Sequence, residues 1–360
     1  MIIERTTYRP KPGQFEAVLA TRRKASRRRR EIGLPGGTIF TGESEAGRVV
    51  FWECAFADGE AQQRDLAARG ADRGFGEIRD AMGKLLESFD RCVLGADDDR
   101  QASLLVPRDL GNHPVAPRTL RFRSGGEELV GYLYLPPGKG PFPCMVTNHG
   151  SGVTQGSTEI CSPGIAAVLM SAGIASFRPN RAGYGESPGT PWREEVSAEF
   201  GTADYDRQLA ARLDRESDDV VAALAAVQGL DEIDPRHIGV MGSSFGGVVT
   251  LLSAAKTDGF RCAVDFAGAA MNWDRTPGLR RTMIDAAHRV NVPLFLIQSA
   301  NDYSIRPTRE IAAALEGTGK IVQSRIYGDF GITRDEGHFL FRDGPVLWWP
   351  EVRDFLDRWL

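Results

Sequence analysis

One serine of this chain stands in a setting that suits a nucleophile. Ser244 lies in Gly242-Ser-Ser-Phe-Gly-Gly247, after the apolar run Ile238–Gly242 and before a helical pattern over Gly246–Ala255. A G-x-S-x-G turn between a strand and a helix holds its serine in a strained conformation above the sheet, with helix N–H groups aimed at developing negative charge. Ser243 has no glycine two residues before it. We therefore predict Ser244 as the nucleophile, the alternative being a glycine-rich turn with a capping serine.

A serine hydroxyl needs a base near neutral pH, and the chain has only five histidines. His113 lies in a linker-like segment, while His237 and His288 precede strands and so belong at the opposite edge of a parallel sheet. His149 and His338 each follow a strand. We assign His338 as the base, against the alternative of a surface or structural histidine. His149 begins a glycine-rich loop, which we expect it to brace.

An imidazole base needs a carboxylate that orients it and stabilises its cation. The strand pattern Val292–Gln298 runs into Asp302, which places that carboxylate at the same sheet edge. The alternative for Asp302 is an Asx turn or the cap of the next helix. Three other acids lie on the same predicted loop as the base, where reaching its distal nitrogen is less natural: Asp329, Asp335 and Glu336.

The composition excludes several classes of protein. The 360 residues carry 44 basic and 48 acidic side chains, so nothing attracts the chain to nucleic acid or to an anionic membrane. The five cysteines form no C-x-x-C pair, which argues against a disulfide framework or a thiolate zinc site. No H-E-x-x-H or phosphate-loop motif occurs, and we expect no metal and no cofactor. The N-terminus lacks a long apolar segment, and the most apolar stretch, Ile165–Phe177, is too short to span a bilayer. We expect a cytoplasmic protein.

Two regions differ in their sequence patterns. Residues 1–95 read as strand, helix, two strands, helix and strand, which is typical of a small α+β unit of the split βαβ type. Residues 96–117 contain an Asp run, three prolines, Gly111 and Asn112 and are predicted to be a linker. From residue 118 a predicted hairpin is followed by short apolar strands that alternate with helices. Residues 118–360 are therefore predicted to form an open α/β domain with a mostly parallel sheet and a site at its carboxyl edge.

The second region resembles the α/β-hydrolase fold, and most of all its dienelactone-hydrolase and related esterase or peptidase branch. The matching pieces, in chain order, are His149-Gly-Ser-Gly152, Asn180-Arg-Ala-Gly-Tyr-Gly-Glu-Ser187, Gly242-Ser-Ser-Phe-Gly-Gly247, Asn301-Asp302 and Glu336-Gly-His-Phe339. Their order, Ser then Asp then His, is the one that this fold uses. Dienelactone hydrolases proper have a cysteine nucleophile where this chain has Ser244, so their lactone substrate does not carry over.

The resemblance also implies an oxyanion hole and an acyl-enzyme. Its donors would be the backbone N–H groups of Phe245, directly after the nucleophile, and of Ser151, in the loop after the first parallel strand. Ser244 would attack a carbonyl while His338 takes its proton and later protonates the leaving group. Losing one oxyanion donor typically lowers the rate by about a hundred- to thousandfold.

Four residues are candidates for substrate binding. Residues 189–214 form a longer segment than a βα loop needs, and we predict a partial lid that contains Trp192, or aromatics that only pack this loop. The loop after the fourth parallel strand contributes Trp273 in the same way. His149 joins the list from the oxyanion loop. Arg181 would hold a substrate carboxylate or pair with a neighbouring acid, and we favour the pairing.

The first region resembles the dimeric α+β barrel group of small ferredoxin-like domains, in which two sheets pair across a homodimer. That resemblance implies a homodimer formed by residues 1–95. Residues 1–112 contain no histidine, which excludes a histidine-ligated haem there. The basic cluster of Arg22–Arg30 is interpreted as a solvated helix face rather than an anion site.

The sequence thus predicts a serine hydrolase that cleaves a small carboxylic ester, lactone or thioester. A peptidase or an acyltransferase would use the same three residues with a different substrate or acceptor. The other hypothesis is a non-catalytic hydrolase scaffold, with the N-terminal barrel carrying cofactor-free oxygenase chemistry or assembly. An intact set of Ser244, Asp302 and His338 favours the hydrolase, with a small acyl compound as its only predicted partner besides a second copy.

Overall fold

The chain folds into two compact units. A computed structural model describes residues 2–44, 47–95, 105–157 and 162–360. The first unit comprises residues 1–102 and the second residues 103–360. Residues 96–104 of the predicted linker lie outside the described residues.

The first unit contains one four-stranded antiparallel sheet with the order β2-β3-β1-β4. Its elements are β1 (Ile2–Pro10), α1 (Phe15–Glu31), β2 (Thr38–Ser44), β3 (Gly47–Phe56), α2 (Gly59–Ala71), α3 (Arg73–Leu85) and β4 (Leu86–Gly95). Each predicted strand and helix is present. Asp72 separates the last two helices, and its carboxylate accepts the N–H of Phe75 at 2.6 Å as the cap of α3. The ferredoxin-like assignment itself stays a prediction.

The core of this unit lies between one sheet face and the helices. Alternate residues of β3 point the same way because side chains of a strand alternate between its two faces. Val50, Trp52, Cys54 and Phe56 are buried in one cluster with residues of α1 and α3. Phe40 and Phe51 are cross-strand partners on the opposite face, where Phe40 is 47% exposed.

The second unit contains an eight-stranded sheet with the order β12-β11-β10-β9-β7-β8-β6-β5. Its strands are β5 (Arg118–Ser124), β6 (Glu127–Tyr134), β7 (Phe142–Asn148), β8 (Ala175–Pro179), β9 (Ile233–Ser243), β10 (Ala263–Phe266), β11 (Leu294–Ser299) and β12 (Val322–Tyr327). The first two form the predicted hairpin, β6 pairs antiparallel with β8, and the other pairs are parallel. The predicted α/β class is confirmed.

Helices connect these strands. They are α4 (Pro163–Ser171), α5 (Trp192–Glu195), α6 (Ala203–Gln228), α7 (Phe245–Ala254), α8 (Pro277–Arg289), α9 (Arg306–Leu315), α10 (Arg334–His338), α11 (Leu340–Asp343) and α12 (Pro345–Trp359). Every residue of β7 and β8 is buried, as expected for central strands that are covered on both faces. The carboxyl ends of β7, β9 and β11 therefore meet at one edge, where the candidate site lies.

Part of the predicted linker belongs to the second unit. Leu105 is only 3% exposed and packs in the cluster that contains Met145 and Leu169. Leu110 and Val115 pack against another cluster of the same unit, around Tyr132. Proline and glycine content predicted a loop correctly, but it did not reveal that these isolated apolar residues anchor the loop to the domain.

The segment 189–214 is not a long loop, and this prediction was wrong over its second half. The helix α6 begins at Ala203, after Thr202 caps it by accepting the N–H of Tyr205 at 3.2 Å. Leu209 and Leu213 continue the buried stripe of this helix at a spacing of four. Charged residues share this buried face, namely Asp206, Arg212 and Glu216, and they interrupt the apolar period that would have predicted a helix.

Among the described residues, no helix combines the length and the apolar character that crossing a bilayer would require. The cytoplasmic location stays a prediction.

Candidate active site

Ser244 lies on a sharp turn between β9 and α7. Its backbone has φ 60° and ψ −124°, a left-handed conformation that costs free energy in a residue other than glycine. The turn packs against the end of β7 with no space for side chains at two glycines. A Cβ on Gly242 would come within 2.4 Å of the Gly246 carbonyl oxygen, and one on Gly246 within 2.2 Å of the Asn148 oxygen. The two glycines therefore permit this close approach of backbones.

His338 and Asp302 form a buried pair. The Nδ1 of His338 donates to Oδ1 of Asp302 at 2.9 Å, since a carboxylate only accepts. The same carboxylate accepts the N–H of Tyr303 at 2.6 Å, and its Oδ2 accepts from the side chain of Gln298 at 2.9 Å. These donors fix the plane of the carboxylate, so Asp302 holds the imidazole in one tautomer and orientation.

His338 is held on the short helix α10 rather than on the predicted loop. A capping box starts this helix, in which Thr333 accepts the N–H of Glu336 while Glu336 accepts the N–H of Thr333. Gly337 approaches Asn301 so closely that a Cβ would lie 2.5 Å from the Asn301 amide oxygen. Glu336 is thus used in the cap and does not compete with Asp302 for the imidazole.

Ser244 and His338 line one cavity of about 520 Å³, together with Arg178, Asp335 and the loop after β7. The Nε2 of His338 is buried, and among the described residues it has no hydrogen-bond partner. Arg178, at the end of β8, was not predicted. Its only sequence signal is a charged residue within an otherwise apolar strand.

The loop that begins at His149 lies against the serine. A Cβ on Gly150 would be 3.2 Å from the Cβ of Ser244, which places this loop beside the nucleophile. Arg181 donates to the His149 carbonyl at 2.9 Å and pairs with Glu216 at 2.6 Å. Arg181 is fully buried. Arg181 is not among the residues that line the cavity at Ser244, and the pairing with a neighbouring acid that we favoured is present.

His149 itself is almost completely buried. Its Nδ1 donates to the Gly150 carbonyl at 2.8 Å, and its ring packs on Tyr184 with 4.6 Å between centroids. Burial, together with the nearby charges of Arg181 and Arg178, holds the pKa of His149 well below its usual value. A neutral imidazole in this position shapes the loop and the cavity wall.

The two candidate tryptophans have different environments. Trp192 donates to the Ser151 carbonyl at 3.0 Å and packs edge-on against Phe245, so it contacts both predicted oxyanion residues. Trp273 is fully buried in the core and donates to Glu310 at 2.9 Å. The prediction of Trp273 as a substrate-binding residue was wrong, because its ring packs under α9 rather than into either cavity at Ser244.

A second cavity of about 400 Å³, with four aromatic residues in its lining, also reaches the serine. It shares Ser151, Ser244 and Met271 with the first cavity. Its remaining walls include Trp192, Val196, Phe200, Tyr205 and Phe245. Two cavities therefore meet at Ser244, one with Arg178 and Asp335 in its lining and one with more aromatic residues.

Asp265 is a buried acid that sequence reasoning missed. It lies at the end of β10, accepts the N–H of Gly268 at 2.9 Å, and comes within 2.1 Å of where a Cβ on Gly247 would be. Burial raises its pKa to about 7. Among the described residues it forms no ion pair, and no group of three metal-ligating side chains that could hold a metal occurs. An isolated Asp in a four-residue apolar strand was the only signal in the sequence.

Comparisons with known proteins agree with this geometry. The α/β-hydrolase fold is shown by an acylaminoacyl peptidase in complex with Z-Gly-Gly-Phe-chloromethyl ketone, which matches 68% of this chain and 41% of its own with a TM-score of 0.52 and 21% identity. Residues 162–278 match the model of the prolyl oligopeptidase family, which uses this fold. The second unit thus has the α/β-hydrolase fold.

Two curated relatives share part of the sequence. The quorum-quenching protein AidA of Acinetobacter baumannii (strain MDR-ZJ06) is 31% identical over 150 residues, covering 41% of this chain and 42% of that protein. The acyltransferase drtE of Aspergillus calidoustus is 32% identical over 136 residues, covering 38% and 37%. This chain therefore spans about two fifths of the length of the curated relatives it matches. The dienelactone-hydrolase likeness stays a prediction.

The raised pKa of Asp265 predicts a loss of stability with rising pH. Between about pH 4 and 7 the folded protein keeps a proton on Asp265 that the unfolded chain has released, so the free energy of unfolding falls across this window. We expect Asp265→Asn to remove this dependence and to be more stable than the wild type at pH 8 by up to about 4 kcal/mol. Urea unfolding of both proteins at pH 5 and pH 8 measures the free energy of unfolding.

The exposed residue Asp231 provides the control. Asp231→Asn should leave the difference between pH 5 and pH 8 unchanged. If Asp265→Asn showed the same pH dependence as the wild type, Asp265 would have an ordinary pKa in the folded protein.

Proposed function

We propose that this protein is a serine hydrolase that acts through an acyl-enzyme on Ser244. The observation that carries the proposal is the buried pair of His338 and Asp302, whose free nitrogen Nε2 lines the same cavity as the strained serine. A buried, oriented imidazole beside a serine on such a turn is the arrangement that nucleophilic acyl transfer needs. The family match and the relatives above support the same chemistry.

In the first half-reaction the Ser244 oxygen attacks the substrate carbonyl and its proton moves to Nε2 of His338. Asp302 stabilises the imidazolium through the hydrogen bond to Nδ1. The C–O, C–S or C–N bond to the leaving group then breaks as the imidazolium returns the proton to the leaving atom. In the second half-reaction water attacks the acyl-enzyme by the same route and releases a carboxylic acid.

The oxyanion would be held by backbone N–H groups of Phe245 and Ser151. Phe245 is the first residue of α7, and the first N–H groups of a helix have no partner within it. The positive end of the α7 dipole adds to their effect. Ser151 is placed beside the serine by its loop, and Trp192 fixes this loop through the Ser151 carbonyl. A helix start and a tethered loop thus support Phe245 and Ser151 as the proposed donors.

We propose a small carboxylic ester, lactone or thioester as the substrate. The apolar cavity beside Phe245 suits an acyl or alkyl group, and the cavity with Arg178 and Asp335 suits a polar partner group. One relative is named an acyltransferase, and one similar structure is of a peptidase. An acyltransferase or a peptidase that uses the same residues is therefore the alternative. A panel of esters, thioesters and amino-acid anilides separates these possibilities.

We expect Ser244→Ala to abolish both hydrolysis and covalent labelling. Without the hydroxyl no acyl-enzyme forms, and kcat for a p-nitrophenyl ester should fall by about a factor of 10⁴ or more. A fluorophosphonate probe should label the wild type and not the variant. Ser243→Ala, one residue earlier on β9, is the control and should still be labelled. Labelling of Ser244→Ala, or an unlabelled wild type, would favour the non-catalytic scaffold.

We expect Phe200→Ala to weaken binding of long acyl chains only. Phe200 lines the apolar cavity and is 49% exposed, so its removal should cost little stability. KM for a p-nitrophenyl octanoate should rise about three- to tenfold through lost apolar contact, while that for the acetate stays within twofold. Leu347→Ala removes an equally exposed apolar side chain outside this cavity and should change neither value. If KM rose equally for both esters, the acyl chain would bind outside this cavity.

We also propose that the first unit forms a homodimer through its open sheet face. Phe40 and Phe51 are adjacent on this face, as are Ile3 and Leu94 across β1 and β4. Phe40→Glu should convert a dimer to a monomer, because a charge would be buried at the interface. Thr41→Glu, whose side chain points to the other face, should remain dimeric. Light scattering after size exclusion gives the mass, and a monomeric wild type would contradict the proposal.

A further inference from the structure

The first unit encloses a cavity of about 320 Å³ between its sheet and its helices. Most of its wall is apolar, from residues of all three helices and of β4, namely Ala25, Leu66, Phe75, Ile78, Met82 and Leu86. Its size is at the lower end of the range for small-molecule sites. Phe89 on β4 is more than half exposed and marks the opening.

The charged side chains that line this cavity all have the same sign. Four of its lining residues are arginines, and none of the lining residues that the structure describes carries a carboxylate: Arg22, Arg69, Arg79 and Arg91. Glu4, just outside the lining, already pairs with two of these arginines and accepts from Gln62. Arg79 pairs with Asp80, so three of the four arginines have carboxylate partners outside the lining, and Arg22 is the one left without such a partner among the described residues.

Arg22 is the residue that most needs a partner. It is 3% exposed, and no carboxylate of the described residues lies within ion-pair distance of it. Its only hydrogen bonds go to the Tyr8 hydroxyl at 3.1 Å and the Ser26 hydroxyl at 3.4 Å, and its buried Nε has no partner among the described residues. Its charge is next to the Trp52 ring, and burial lowers its pKa.

A buried guanidinium without a counter-ion is costly, and buried charges are normally paired. The neighbouring Arg29 follows this rule, since it is buried against Asp65. The Tyr8 hydroxyl accepts from Arg22 and keeps its own hydrogen for a further acceptor. Arg22 and Tyr8 thus offer two donors to a cavity whose wall is mostly apolar.

We propose that this cavity binds a small organic monocarboxylate, with its carboxylate at Arg22 and Tyr8 and its apolar body against the helices. The apolar wall favours such a ligand over inorganic phosphate or a sugar phosphate, which would leave most of that wall in contact with polar groups. The site is separate from Ser244 in the chain and does not depend on the proposed hydrolysis.

Sodium decanoate, titrated into the full-length protein by isothermal calorimetry, tests the proposal. We expect saturable binding of one decanoate per chain at this site, and binding of 1-decanol and of acetate at least tenfold weaker. Arg22→Met keeps the length of the side chain but removes its charge, and it should weaken decanoate binding about ten- to hundredfold. Arg73→Met, which removes a solvent-exposed arginine of α3, is the matched control and should bind as the wild type does.

A second variant keeps the test decisive if Arg22→Met fails to fold. Gly83 lines the cavity on α3, and a Cβ there would meet nothing within 4 Å, so Gly83→Phe should fold and obstruct the opening. It should weaken decanoate binding at least tenfold while thermal unfolding remains cooperative. Equal binding of decanoate and decanol, or unchanged binding by a folded Arg22→Met or Gly83→Phe protein, would overturn the proposal, as would the absence of saturable binding.

Discussion

The contact between the first turn of α7 and the end of β7 determines the geometry of the second unit's site. Backbone atoms of Gly246 and Asn148 approach so closely that no Cβ fits between them. This contact forces Ser244 into its left-handed conformation and brings the N-terminus of α7 against the loop that starts at His149. The proposed nucleophile and both proposed oxyanion donors are thus positioned by one packed junction, and the surrounding fold stabilises the strain.

Buried charge has different consequences in the two units. In the second unit Glu216 is shared by Arg181, Arg212 and the Tyr184 hydroxyl, so both arginines have a carboxylate partner and the network holds the loop beside Ser244. A buried network of hydrogen-bonded ion pairs rigidifies its surroundings. In the first unit Arg22 has hydroxyl partners but no carboxylate. The rule that buried charges need partners therefore explains how the loop beside Ser244 is held, and it supports our proposal of a ligand at Arg22.

Much of the site could be predicted because the sequence shows which residues follow parallel strands and so lie at the carboxyl edge of the sheet. Ser244, Asp302 and His338 each follow a strand, and strands that run parallel bring their carboxyl ends together. Arg181 follows β8 and Trp273 follows β10, at the same edge, yet both are buried in structural contacts. The fact that a residue follows a strand could not distinguish Arg181 and Trp273 from substrate ligands. Their burial depends on which distant residues pack over the side chain.

The sequence alone determined what depends on neighbours along the chain: the strands, most helices, the two-unit division and the serine turn follow from short-range period and glycine spacing. Tertiary packing alone decided the rest. The first half of α6 is helical because Leu209 and Leu213 are buried in the core. Leu105 is fixed because it packs with Met145 and Leu169. The cavity at Arg22, the pKa of Asp265 and the hydrogen bond between His338 and Asp302 all arise from residues far apart in sequence. Burial and electrostatic energy depend on distances that only the folded chain defines.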